Sequence, residues 1–266
     1  MAKDDSSLPR SALAVFAHPD DIEFVAAGTM LLLAEAGYEL HYMTVANGSG
    51  GSATLPAEEI ASIRGRESEE AAKLLGAEYH PPIANDLEII YALPLLRKLA
   101  ATVRKVKPQI ILTHAPADYM EDHMATSRLA VTAAFAHCIP NFQSDPPLPG
   151  YNGDVAVYHA VPHGLQDGFR NRVSPHAFVN TASVHETKTH ALAAHASQKD
   201  WLDQTQGMGS YISAMDDMSR EVGTMSGKFK YAEGWTRHSH LGFSSEEFDP
   251  LADALGPNYI TNTDSD

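Results

Sequence analysis

Leu13-Ala14-Val15-Phe16-Ala17-His18-Pro19-Asp20-Asp21 decides how this chain is read. A short apolar run ends abruptly in turn chemistry, as a buried strand does when it reaches a loop. The loop it enters holds an imidazole, a proline-stiffened turn and two adjacent carboxylates. The spacing lets His18 and Asp21 share one metal ion on a tight turn, with Asp20 left beside it to handle a proton. A third ligand would complete a catalytic site with a position open to water. The competing reading is a plain polar turn and helix cap, since Pro and Asp favour both.

Outward from this stretch, strands and helices alternate. Leu13–Ala17 reads as a strand and residues 22–36 as an apolar helix stopped by Gly37. Residues 38–45 read as a second strand, followed by the loop Asn47-Gly48-Ser49-Gly50-Gly51-Ser52. Residues 58–75 form an amphipathic helix, with Ile60, Ile63, Ala71, Leu74 and Leu75 on its apolar face and Gly76 closing it. A short strand over 78–81, a helix over 93–106 ended by Pro108, a strand over 109–114 and a helix over about 123–136 continue the pattern. Alternation of this kind predicts an α/β domain, a Rossmann-like, mainly parallel sheet with helices on both faces and right-handed crossovers. Ligands of such sheets bind outside the carboxyl ends of the strands, where the loops at His18–Asp21 and His114–His123 both arrive.

The second half is less regular. A Pro/Gly/Asn-rich loop over 141–153 precedes expected strands at 154–160 and 176–180 and a long helix over about 183–203. The Met- and Ser-rich stretch 208–227 is expected to be partly helical, and the tail after Gly256 reads as polar and frayed. With no repeat and no long linker, residues 1–266 are read as one domain, its core over about 11–205, an elaboration over about 206–256 and a tail over 257–266.

Composition narrows the partners. The net charge of -15 argues against a nucleic-acid backbone, which calls for a basic face. The single cysteine, Cys138, rules out an internal disulfide framework and a thiolate-rich zinc site. No stretch approaches the ~20 apolar residues of a membrane span, and the polar start carries no signal-peptide core. The expectation is a cytoplasmic protein. Of the 14 histidines, His41, His80, His137, His159, His163, His176, His185, His190, His238 and His240 have no evident metal spacing and read as surface or hydrogen-bonded side chains.

The segment Asp118-Tyr119-Met120-Glu121-Asp122-His123 supplies the candidate third ligand, His123. Asp122 is suited to holding that imidazole's other nitrogen or to orienting a neighbouring catalytic group, and equally to an acidic helix start. With these residues in view, the chain resembles the LmbE-like (PIG-L) N-deacetylases, zinc enzymes that remove acetyl groups from N-acetyl amino sugars. Their Ala-His-Pro-Asp-Asp motif is intact at residues 17–21, with Glu23 near the usual acidic position, and their second motif, ending in Asp-His, matches Asp122-His123. The resemblance implies His18, Asp21 and His123 as zinc ligands and Asp20 as general base. It extends to Arg66-Glu67 and the helix through Gly76, to the loop 47–51, and to Lys188 with His195-Ala196-Ser197-Gln198. Arg66 or its neighbour Arg64 inherits the pocket arginine's role.

One departure matters. Many members carry His-Pro-Asp-His at the second motif, where this chain has Met120-Glu121-Asp122-His123, so the histidine credited with the proton relay is absent. Tyr119 and His195 are the candidates for polarising the substrate carbonyl or supplying a proton. The implied reaction is metal-assisted amide hydrolysis, releasing acetate from an N-acetylglucosamine-type sugar or its conjugate. Zn2+ is the implied cofactor, and a His-Asp-His set would also accept Fe2+. Rival readings are an amidase on a larger amino-sugar-thiol conjugate, a non-catalytic metal-containing sugar-binding protein, and a nucleotide-binding protein using the loop 47–52, which lacks a phosphate-loop fingerprint. Trp201, Tyr211, Trp235 and Phe243 read as cleft-shaping or core aromatics. Relatives assemble as homo-oligomers, which leaves that state open here.

Overall fold

The computed structural model describes residues 10–198 and 211–263. Its centre is an eight-stranded sheet, made of β1 (Ser11–Phe16), β2 (Glu39–Thr44), β3 (Ala77–His80), β4 (Ile110–Thr113), β5 (Ala156–Ala160), β6 (Ala177–Asn180), β7 (Ala232–Arg237) and β8 (Tyr259–Thr261). Their spatial order is β3-β2-β1-β4-β5-β7-β6-β8. The first five strands are mutually parallel. β7 runs antiparallel to β5 and β6, and β8 antiparallel to β6. The sheet is therefore mixed but mainly parallel, flanked by helices on both faces.

β1 shows why an unbroken apolar run is needed. Every residue of it is buried, and alternate side chains enter different cores. Ala12, Ala14 and Phe16 pack with α1 (Asp21–Val25) and α2 (Ala27–Glu35), while Leu13, Val15 and Ala17 pack with α4 (Leu93–Val106) and α5 (Glu121–Phe135). A strand covered on both sides has no polar face. α3 (Ala57–Leu74) joins the first face through Ala72, beside Leu75, and α6 (His185–Ala193), α7 (Tyr211–Met225) and α8 (Pro250–Leu255) lie on that side too.

Helix α4 and the strands at β1 to β6 follow the sequence reading within a few residues. Four points differ. The apolar run 22–36 is two helices, broken at Ala26, whose φ of -135° leaves the helical region. Leu74, expected on the buried face of α3, is exposed. The helix expected over 183–203 ends at Ala193, residues 196–198 are helical again, and 199–203, with Trp201, lie outside the described residues. β7 had no sequence signal strong enough to be read, and the tail expected to fray contains β8, which hydrogen-bonds along β6.

The chain leaves β1 toward β2 and β3 on one side, then returns to place β4 and β5 on the other. The order reverses between β1 and β4, and at such a switch point two loops diverge and open a crevice. The loops carrying His18–Asp21 and His114–His123 are those two. Among the described residues, no helix is long and apolar enough to cross a membrane.

Candidate functional site

Asp20 starts α1 in a left-handed conformation, with φ of 102°. Asp tolerates this region better than most residues, and holding a non-glycine there stores strain of the kind found at functional sites. The tight turn folds Asp21 back, so that its Oδ2 accepts from the His18 backbone N–H at 2.7 Å. Across the crevice, His123 enters from the first turn of α5. Its Nε2 lies 3.5 Å from Asp21 Oδ1, and His18 Nδ1 lies 3.5 Å from Asp21 Oδ2. Donors on a tetrahedral ion with bonds of about 2.0–2.1 Å stand about 3.3 Å apart, so these three are spaced to hold one.

The outer nitrogens of both imidazoles are held. His123 Nδ1 donates to Asp118 Oδ1 at 3.1 Å, and His18 Nε2 donates to Asp122 Oδ2 at 2.9 Å. This leaves His18 Nδ1 and His123 Nε2 free to face Asp21, the arrangement by which outer carboxylates fix the orientation of metal-binding histidines. Of the two roles open to Asp122, it takes the second, bracing His18. His123 is braced by Asp118, which sequence reasoning did not single out.

The electrostatics point the same way. Burial lowers the pKa of His18, but hydrogen bonds to Asp122 and Asp21 outweigh it and raise it to about 10. Burial also opposes the charged form of His123, yet Asp21 and Asp118 raise its pKa. Burial would raise Asp21, and the facing His123 together with a hydrogen bond from His18 instead holds it well below the carboxylate range. Buried imidazoles that retain protons mark a place where the protein's field favours positive charge. The donor set, its spacing and its field together fit a small divalent ion.

His114, at the end of β4, stacks flat on His123 with ring centroids 3.9 Å apart. Its Nε2 accepts the Ala17 N–H at 2.9 Å, and burial lowers its pKa to about 4, so it is a neutral spacer that ties the two loops together.

The cleft beside the triad has a volume of about 360 Å³, within the range of small-molecule sites. Asp20 faces it. Burial raises the Asp20 carboxyl pKa, partly offset by Arg64. Arg64 is buried, and its Nη2 donates to Asp20 Oδ2 at 3.1 Å and to the Pro19 carbonyl. It passes under the glycine loop. A Cβ on Gly48, which has φ of +79°, would come within 2.5 Å of Arg64, and one on Gly51 within 2.7 Å. That close approach, rather than phosphate binding, accounts for these two glycines.

The remaining expected residues divide. Tyr119 lines the cleft, half exposed and edge-on to His123, and burial keeps its hydroxyl protonated above the ordinary range. Arg66 is solvent-exposed and bonds Ser62 at 3.1 Å, so Arg64 is the arginine of the pocket. His195 is fully buried with its Nε2 3.3 Å from Glu23 and is not among the lining residues. Its neighbour Ser197 bonds Glu67 through both N–H and hydroxyl, at 2.8 and 2.6 Å, joining two segments quoted above for the resemblance. Lys188 is buried on Glu233 at 2.7 Å and donates to the Phe24 carbonyl at 3.0 Å, which seats α1 against the cleft. Trp235 is a core residue and Phe243 packs on Phe135, whereas Tyr211 lines the cleft. Reasoning from sequence missed His163, which enters the cleft from the loop after β5 and packs edge-on to Phe24. Burial lowers its pKa. Its spacing to every other site residue is long, so no motif announced it.

Residues 13–134 match the family described as PIG-L, GlcNAc-PI de-N-acetylase. The chain is 27% identical over 196 residues to diacetylchitobiose deacetylase of Thermococcus kodakarensis, a match spanning 71% of this chain and 70% of that protein. It is 28% identical over 198 residues to 4-oxalmesaconate hydratase of Pseudomonas putida, spanning 71% and 74%. Among solved structures, N,N'-diacetylchitobiose deacetylase from Pyrococcus horikoshii shares the fold with a TM-score of 0.73 and 25% identity, covering 94% of this chain and 91% of that one.

Proposed function

Because the chain belongs to the PIG-L/LmbE-like family, we propose that it is a zinc-dependent hydrolase that removes the acetyl group from an N-acetylated amino sugar or a conjugate of one. The observation that carries this reading is the triad His18, Asp21 and His123, braced from outside by Asp122 and Asp118 and open on one side to a cleft with Asp20 on its wall. A divalent ion held there would supply Lewis acidity and bring the pKa of a water from about 15.7 toward about 7.

The chain's own groups supply the rest. Asp20 is the base, taking a proton from water as it attacks the acetamide carbonyl. Its raised pKa lets the carboxyl keep that proton long enough to pass it to the departing amine. One group serving in both steps removes the need for the histidine that Met120 replaces. Tyr119, protonated and at the cleft wall, donates to the carbonyl oxygen as negative charge develops there. His163 is a second donor on the same wall. Arg64 holds Asp20 through Nη2, which also donates to the Pro19 carbonyl, and as a lining residue it can meet the substrate as well.

The hydratase relative makes a carboxylate-bearing substrate the second reading. Charge in the cleft disfavours it. Among the described lining residues Arg64 is the only Lys or Arg, and it is paired, while Asp20, Asp21 and Asp86 all line the wall. Beside the metal position, a carboxylate would find no unpaired Lys or Arg among the described lining residues, whereas a neutral sugar amide needs none. Non-catalytic sugar binding rests on Met120 alone.

The test is acetate release by the zinc-loaded protein from N-acetylglucosamine, N,N'-diacetylchitobiose and a larger N-acetylglucosaminyl conjugate, run beside hydration of 4-oxalmesaconate. Metal-dependent acetate release supports the proposal. Hydration without acetate release from any of the three replaces it with the second reading, and sugar binding without turnover replaces it with the third.

A further inference from the structure

A second cluster of metal-binding side chains lies on the sheet, away from the cleft. His41 in β2 stands in register with Glu78 in the parallel strand β3, and Met43 with His80. In parallel strands, registered residues and those two apart share a face, so His41, Glu78 and His80 project together. Neighbouring Met43 and Val45 assign that face to the α4 side. His41 Nδ1 lies 3.0 Å from His80 Nε2 and 3.7 Å from Glu78 Oε2, and one donor atom from each of the three falls within 4.8 Å of the others. We propose that His41, Glu78 and His80 form a second divalent-metal site, of the borderline class that takes Zn2+, Ni2+ or Cu2+.

Three features support it. The two measured separations bracket the spacing of about 3.3 Å between donors on a tetrahedral ion. The other oxygen of Glu78, Oε1, is held by Lys105 Nζ of α4 at 2.8 Å, which turns Oε2 toward the imidazoles. Both rings are nearly buried, while β3 is the edge strand of the sheet and Glu78 is half exposed, so an ion has a way in from solvent. The groups facing the pair are Glu78, Glu39 and Lys105. Burial lowers both histidines, His80 to about 4, so both imidazoles are neutral at pH 7 and need shed no proton to bind. Two imidazoles and one carboxylate suit zinc or its softer neighbours rather than Mg2+ or Ca2+. Glu78 and His80 read at first as strand residues with no partner, because His41 lies outside any local ligand spacing and only strand pairing unites them. The competing account is a hydrogen bond between two neutral rings with no ion.

The experiment counts metal. The full chain, stripped with a chelator, is titrated with Zn2+ by calorimetry and with Co2+ by absorption. The expected result is two equivalents per chain. Glu78→Gln and His80→Gln should each weaken one of them roughly tenfold or more and leave the other, together with any acetate release, as in the wild type. Glu78 is half exposed, so Glu78→Gln decides the matter even if His80→Gln fails to fold. Metal uptake that is the same in Glu78→Gln as in the wild type, in number of equivalents and in affinity, would overturn the proposal. The count does not depend on turnover, so failure of the deacetylase reading leaves it intact.

Discussion

Replacing Asp20 by Asn separates chemistry from stability in a way that few single changes do. Asn tolerates the left-handed φ of 102° as readily as Asp, so the turn that sets Asp21 in place should survive. The amide oxygen of the substituted side chain can still accept from Arg64, now 3.1 Å from Asp20 Oδ2. What disappears is the ability to take and return a proton. General acid–base catalysis contributes about 10²–10⁴ in rate, or roughly 2.7–5.5 kcal/mol of barrier. The upper part of that range is expected, because on the proposed mechanism Asp20 serves both steps. Stability should move the other way. The folded pKa of Asp20 is raised, chiefly by burial, so folding disfavours its charged form. Below the unfolded carboxyl pKa that penalty is absent, and it is fully present once the pH exceeds the folded value. At pH 7 the neutral amide avoids it, and the metal-stripped variant should melt no lower than the wild type. The assays are acetate release with saturating zinc, zinc content by elemental analysis, and thermal unfolding after chelation. A variant that binds zinc and keeps more than about a tenth of the wild-type rate would remove Asp20 from the chemistry. A clear loss of thermal stability would show that the carboxylate is structural.

The other expectations concern the frame around the site. Lys188→Met leaves Glu233 charged and buried opposite no cation, so it should cost about 3–5 kcal/mol in denaturant unfolding, and a loss under about 1 kcal/mol would contradict the pairing. Arg64→Ala should reduce the catalytic rate roughly tenfold or more by freeing Asp20, whereas exposed Arg66→Ala should leave both rate and stability unchanged. Equal effects of the two would place the pocket arginine wrongly. His159 is buried and neutral, its Nδ1 donating to the His114 carbonyl at 2.8 Å, and burial lowers its pKa to about 4. Its folded pKa is below the unfolded value of about 6.5, so its contribution is whole above that value and declines as the pH falls toward about 4. On the order of 3 kcal/mol should be lost over that window, and His159→Gln should flatten the acid limb of a stability–pH curve.

The parallel half of the sheet was readable because its strands are short apolar runs closed by turn residues, and its helices carry clear periodicity. Residues 93–106 needed no adjustment. The split at Ala26 was not readable, since an alanine inside an apolar run carries no signal of a break. β7 was missed because its sequence, Ala-Glu-Gly-Trp-Thr-Arg, puts a buried glutamate and a glycine where a strand would show branched side chains. Both make sense only in three dimensions: Glu233 answers Lys188, and Gly234 lies against Pro175 and Val161. The three triad residues were legible from motif and strand position alone. Their supports were less so, since Asp118 and Asp122 are both acidic residues at a helix start, and only geometry assigns one to His123 and the other to His18.

That assignment has a structural consequence. The two loops at the switch point do not simply face one another. The β4 loop braces its own histidine with Asp118, but it also sends Asp122 across to hold the histidine of the β1 loop. The β1 loop sends Asp21 back toward His123, and its Ala17 N–H binds His114. Each loop is thus incomplete without the other, and their register is set by hydrogen bonding between β1 and β4, where Val15 pairs with Thr113, the last residue of β4. Asp122 Oδ2 also accepts the Leu87 N–H at 2.7 Å, so the rim of the cleft hangs from the same carboxylate that orients His18. Leu87 adopts a positive φ of 62° there. The acidic residue before the triad histidine therefore holds both His18 and the Leu87 N–H. Among the described carboxylates lining the cleft, Asp20 and Asp86 do not hold the triad, and Asp86 accepts the Gly48 and Gly50 N–H groups of the glycine loop, which singles out Asp20 as the candidate for moving a proton.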